Sequence, residues 1–224
     1  MRAQKHFAVM IIGREMRSMK DIMRKGFYAF ALLITGAGAA SAQSGKTGAA
    51  DTIYVYRYNE FPAAMLNEAV KELRTVYPWV KMAGRLALPG YACHREPGKV
   101  CYTSMMLLNQ LRRVQRSGVV IGFTDKAICY KKEQAEHYRC MGYSGNIGGK
   151  FSVVTTERFR QKKDRQAYLN RVMLHELGHA FGLRHCKDGH CIMVAAEGGN
   201  KFGTATAFCK ECSAFLKGKG WLLK

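Results

Sequence analysis

Two periods of apolar spacing organise the chain. Ile53-Tyr54-Val55-Tyr56 is a run of β-branched and aromatic residues and predicts a strand. From Phe61 to Tyr77 the period lengthens, with Met65, Ala69, Leu73 and Val76 recurring on one side of a helix. Val80 to Leu88 predicts a second strand, ended by Pro89-Gly90. Ser104 to Gln115 predicts a second helix, with Leu107, Leu108 and Leu111 apolar and Arg112, Arg113 and Arg116 solvated. Val119 to Phe123 is a continuous apolar run between Gly118 and Thr124-Asp125, the pattern of a central strand. Tyr143 to Ile147 and Phe151 to Thr155 flank Gly148-Gly149-Lys150, a hairpin signal. Arg165 to Phe181 carries the strongest helical pattern. No internal repeat is visible. Strands alternating with helices, then a late hairpin, predict an α+β fold with a twisted mixed β-sheet and helices packed on it.

The N-terminal segment has a different pattern. Arg24-Lys25 precede Phe27 to Ala40, almost wholly apolar or small, and the run ends Ala40-Ser41-Ala42-Gln43. A basic start, a short apolar stretch and small residues before the cut describe a secretory signal peptide, cleaved between Ala42 and Gln43. A short buried helix or a membrane anchor is the alternative. Residues 1–22, with Met1, Met10, Met16 and Met19, fit the signal poorly and read as an upstream extension, with Met23 as the start. Residues 1–42 are thus extension and signal, 43–52 a flexible lead-in, and 53–224 the folded domain.

Composition narrows the class. The chain has 224 residues, 48% hydrophobic, with only 4 Pro, which excludes a disordered or collagen-like chain. No apolar run reaches the roughly 18–20 residues of a membrane span, which excludes a polytopic membrane protein. The formal charge is +20; removing residues 1–42 leaves 29 basic and 14 acidic residues, a net of +15. These basic residues are dispersed without an aromatic-basic recognition module, so a solvated surface is expected and nucleic acid is not. All 8 Cys lie beyond residue 42, consistent with maturation in an oxidising compartment. A secreted or periplasmic monomer, with no stable membrane insertion after cleavage, is the expectation.

Chemistry concentrates in one segment, His175-Glu176-Leu177-Gly178-His179-Ala180-Phe181-Gly182-Leu183-Arg184-His185. On a helix, residues 175 and 179 lie about 40° apart around the axis, so both imidazoles reach one ion. Gly182 can end the helix in a left-handed conformation and return His185 to the metal. Three neutral His leave one position open, the arrangement of catalytic zinc. Glu176 can hold the zinc-bound water without ligating it, take its proton during attack on a polarised carbonyl, and pass that proton to the leaving amine. The bare five-residue motif recurs by chance on amphipathic helices; Gly182 and His185 make it specific.

This segment is the metzincin metallopeptidase signature. Its continuation, Cys186, Cys191, Met193 and Cys209-Lys210-Glu211-Cys212, resembles the archaemetzincin family. The resemblance implies a metzincin-like zinc peptidase with a backing helix, an active-site helix and a small C-terminal zinc-stabilised subdomain, dividing 53–183 from 184–224. It implies that Met193 is the Met-turn residue beneath the catalytic zinc, and that Cys186, Cys191, Cys209 and Cys212 bind a second, structural zinc. Val194 to Phe208 is a little shorter than the family's usual spacing. Residues 119–125 and 151–158 resemble the family's strands before the catalytic helix. In metzincins an edge strand pairs with substrate backbone; Tyr143, Ser144, Gly145, Asn146 and Ile147 are its best counterpart here.

The cysteine spacing by itself suits tetrahedral zinc, each short pair gripping one side of the ion; two disulfides are the alternative in an exported protein. The other four Cys depart from the family pattern. Cys93–Cys101 and Cys129–Cys140 are the expected disulfides, each closing a short loop, with other pairings open. The function expected is an exported two-zinc peptidase; a binding protein with a vestigial site and a non-peptidic amide hydrolase are the alternatives.

Overall fold

The computed structural model describes residues 51–131, 137–195 and 202–224. The extension, the signal peptide and its cleavage point, and nearly all of the lead-in lie outside the described residues. Among the described residues no helix is long and apolar enough to cross a membrane.

Alternating strands and helices build a mixed five-stranded sheet. Its strands are β1 (Ile53–Tyr58), β2 (Val80–Leu86), β5 (Val119–Thr124), β8 (Gly142–Ser144) and β9 (Phe151–Thr155), in the order β2-β1-β5-β9-β8. All neighbours are parallel except β8, which runs antiparallel to β9 at one edge. β5 is buried along its whole length because helices cover both faces of the sheet. Val119, Ile121 and Phe123 pack with α1 (Ala63–Val76) and α3 (Arg165–Phe181), whereas Val120 points to the side of α2 (Ser104–Val114). The larger core also takes in Cys191, Met193, Phe202, Leu216 and Trp221, so the C-terminal segment is packed on the same α1/α3 layer. A final helix, α4 (Lys210–Lys217), completes it.

A second sheet joins β3 (Cys93–Glu96), β4 (Lys99–Thr103), β6 (Ile128–Lys131) and β7 (His137–Cys140) in that order. It overturns both expected disulfides. β3 pairs with β4 so that Cys93 faces Tyr102 and Cys101 faces His94. β6 pairs with β7 so that Cys140 faces Ile128 and Cys129 faces Arg139. Because strand side chains alternate, each expected pair is turned to opposite faces of the sheet. β4 lies parallel to β6, with Thr103 opposite Cys129, which puts Cys101 and Cys129 on one face as diagonal neighbours. Those two form the disulfide, with Cα atoms 5.9 Å apart, and Cys93 and Cys140 are free thiols.

The bond spans 28 residues of sequence, a closure for which chain entropy predicts roughly 3–4 kcal/mol. Cys101→Ala/Cys129→Ala should therefore lose about that much stability in urea unfolding, whereas Cys93→Ala should lose little. A non-reducing peptide map carrying Cys93–Cys101 in place of Cys101–Cys129 would contradict the register.

Candidate active site and metal centres

The site is set by where α3 stops. Leu169, Val172, Met173, Leu177 and Ala180 bury one side of the helix and fix its rotation. Gly182 takes φ 114° and ψ 2°, a conformation glycine adopts without a Cβ penalty. Its N–H and that of Leu183 bond back to the last carbonyls of the helix, and the chain reverses toward His185. A further tie comes from Gly148, whose N–H donates to the His179 carbonyl at 2.8 Å.

The reversal brings His175, His179 and His185 together, with one ligand nitrogen from each within 4.8 Å of the others. His175 Nδ1 is 2.7 Å from the Ile192 carbonyl, and His179 Nδ1 is 2.8 Å from the Leu183 carbonyl. A carbonyl can only accept, so each Nδ1 carries the hydrogen and each neutral ring turns a bare Nε2 lone pair inward. The two Nε2 atoms stand 3.1 Å apart. Two lone pairs at that distance repel unless a cation lies between them. One tetrahedral zinc with bonds of about 2.0–2.1 Å would hold them about 3.3–3.4 Å apart, so the residues fit the ion. Burial, then the neighbouring His179, pushes the His175 pKa down to about 3, and burial likewise lowers His179, so these rings are neutral ligands near pH 7. His185 is exposed and closes the set from the solvent side.

Ile192, which fixes the tautomer of His175, is followed by Met193, which is fully buried. Met193 approaches so closely that a Cβ at Gly178 would collide with its Sδ. The turn is tied back by the Cys186 N–H on the Met193 carbonyl at 2.8 Å.

Beside it, Cys186, Cys191, Cys209 and Cys212 place their sulfurs within 4.8 Å of one another, and none is disulfide-bonded. Cys186 and Cys209 sulfurs are 3.8 Å apart, close to the separation of about 3.8 Å that tetrahedral zinc with Zn–S bonds of about 2.3 Å imposes. Main-chain N–H groups of Met193 and Cys209 point at the Cys191 sulfur at 3.4 and 3.3 Å, the environment of a thiolate. Burial raises Cys191 and Cys212, whereas a main-chain N–H from Cys212 lowers Cys209; a cation would supply what the raised pair lacks.

Glu176 is buried between α3 and β8. Its Oε2 accepts from the Ser144 hydroxyl at 2.8 Å, and burial, partly opposed by that bond, raises its pKa to about 8. Of the expected edge-strand residues, Tyr143 and Ser144 are in β8, while Gly145, Asn146 and Ile147 lie in the turn that follows. Tyr143 points away from α3, stacked on Tyr130 at 5.6 Å. Ser152 also lies against Glu176, its hydroxyl on the main-chain carbonyl; its one signal in the sequence is a serine placed amid the apolar residues of β9.

Comparison with known proteins agrees with this geometry. The model for peptidase family M54 matches residues 64–218. The archaemetzincin of Natronomonas pharaonis is 27% identical over 146 residues, which cover 60% of this chain and 80% of that protein. In structure, the chain resembles archaemetzincin from Methanopyrus kandleri with a TM-score of 0.63 at 22% identity, covering 75% of this chain and 95% of that one. A zinc-dependent peptidase from Methanocorpusculum labreanum has the same fold, with a TM-score of 0.60 at 17% identity, covering 73% and 99% of the two chains.

Two expectations follow. Gly178→Ala should destabilise by about 1–3 kcal/mol, since Met193 must move; a denaturation midpoint equal to wild type would contradict the packing. At pH 7 a carboxyl with a pKa of about 8 holds its proton about nine-tenths of the time, and a nearby dication favours the ionised form. Zinc loading of the metal-free chain should then release about one proton more in wild type than in Glu176→Gln. Calorimetry in buffers of different ionisation heat reads the difference, and equal release would contradict it.

Proposed function

The chain belongs to peptidase family M54, the archaemetzincins, and we propose that it cleaves peptide bonds with zinc held by His175, His179 and His185 and with Glu176 moving the proton. As a member of that family it is a zinc metallopeptidase, a hydrolase of peptide or protein substrates. The observation that carries the residue assignment is the pair of facing Nε2 lone pairs, each ring held by a carbonyl at its other nitrogen.

Bound zinc supplies a Lewis acid that polarises the scissile carbonyl and lowers the pKa of a water to about 7. The residues do the rest. Ile192 and Leu183 carbonyls fix two imidazoles in the ligating tautomer. Glu176 takes the proton of the attacking water and returns it to the departing amine nitrogen. Its buried setting raises its proton affinity against the opposing pull of the dication, which suits a group that must both accept and donate. Substrate backbone adds to the free edge of β8, over the short stretch that stays extended.

Cys186, Cys191, Cys209 and Cys212 hold a second zinc that ties residues 184–224 into a C-terminal subdomain, with Met193 beneath the catalytic ion. Export rests on the sequence pattern at residues 23–42, with Gln43 as the mature N-terminus and a monomer as the working form.

Purified protein should carry two zinc per chain and cleave members of a peptide library. Glu176→Ala should lose the cleavage by about 100-fold or more while keeping both ions. One zinc per chain would remove the four-cysteine site, and equal cleavage by both proteins would remove the role of Glu176. N-terminal sequencing of the exported chain should begin at Gln43.

A further inference from the structure

β8 offers more to the active site than a free backbone edge. Residues 142 and 144 project toward α3, since Ser144 lies opposite Ser152 and both hydroxyls reach the helix. Ser144 Oγ is 2.8 Å from Glu176 Oε2, 3.0 Å from the Glu176 main-chain carbonyl and 2.8 Å from Ser152 Oγ. Ser152 Oγ is 3.1 Å from that same carbonyl. Ser144 has one hydrogen to give, and the carboxylate is the strongest acceptor in reach, so its O–H goes to Oε2, and the Ser152 O–H is left to serve Ser144 Oγ and the carbonyl. Two residues earlier, a Cβ on Gly142 would stand 2.5 Å from both Cγ and Oε1 of Glu176. One strand thus supplies the hydrogen bond that holds one carboxylate oxygen and the space occupied by the other.

We propose that Ser144 is the positioning residue for Glu176, with Gly142 as the gap that admits its side chain. The inference rests on Glu176 moving the proton, as above. A base must sit within hydrogen-bond reach of the proton it takes, and is commonly oriented by a third group. Long and flexible, a glutamate side chain has several rotamers; the bond to Ser144 on Oε2 and the gap at Gly142 beside Oε1 select one of them. Ser152, bonded to main chain, anchors the helix against the sheet without touching the carboxylate.

Ser144→Ala should lower kcat by about 10–100-fold, the scale of a catalytic group displaced by about 1 Å, with KM within about twofold of wild type. Zinc content and thermal midpoint should stay near wild type. Gly142→Ala should show the same loss confined to kcat, because the added methyl displaces a side chain rather than backbone. Ser152→Ala, the comparator, should keep kcat within about threefold. The proposal is overturned if Ser144→Ala turns over like wild type, if its loss falls on KM or zinc content, or if Ser152→Ala loses kcat equally. Wild type and Glu176→Ala cleaving alike would remove the function itself; Glu176→Ala inactive with Ser144→Ala unimpaired removes only the positioning role.

Discussion

The arrangement of this molecule around α3 turns on one electrostatic constraint. Two imidazole lone pairs face each other across 3.1 Å in a buried place, and each ring is prevented by a carbonyl from presenting a hydrogen instead. Only a cation relieves that contact, and everything nearby is arranged to create it. The helix brings two His onto one face, Gly182 ends it, and the turn through Ile192 and Met193 supplies the carbonyl that orients His175. Met193 reaches its place because Gly178 has no side chain.

The four-cysteine cluster is linked to the same constraint through the covalent chain. His185 is followed directly by Cys186, and Ile192 is preceded directly by Cys191. The segment between them is closed by the Cys186–Met193 hydrogen bond and by bridges joining Cys186 to Val194 and Cys191 to Ala207. On the proposed assignment, a metal in the thiolate cluster fixes both ends of the loop that provides the third His and the orienting carbonyl. A short segment of irregular backbone would then attain the precision that a helix gives to His175 and His179, because two ions would tie it at both ends.

The parts legible in the sequence were those governed by local spacing. The interval from His175 to His185, Gly182 at the turn and the apolar runs of β1, β5, β9 and α3 all follow from period and backbone preference. Contacts set by register were not legible. Nearness along the chain pairs Cys93 with Cys101 and Cys129 with Cys140, whereas the sheet pairs residues by face, and only the parallel placement of β4 beside β6 unites Cys101 with Cys129. β3, β4, β6 and β7 are short and carry charged residues, so their alternation gave no clear strand signal. The position of Ser144 in an edge strand is inferable from the sequence; its side chain's approach to Glu176 depends on how α3 packs across β8 and β9.

Anomalous diffraction at the zinc absorption edge, from crystals of the purified chain, tests the central claim most directly. Two peaks are expected, one among the Nε2 atoms of His175, His179 and His185 and one among the sulfurs of Cys186, Cys191, Cys209 and Cys212. No peak at the three His, with their rings turned apart, would contradict it.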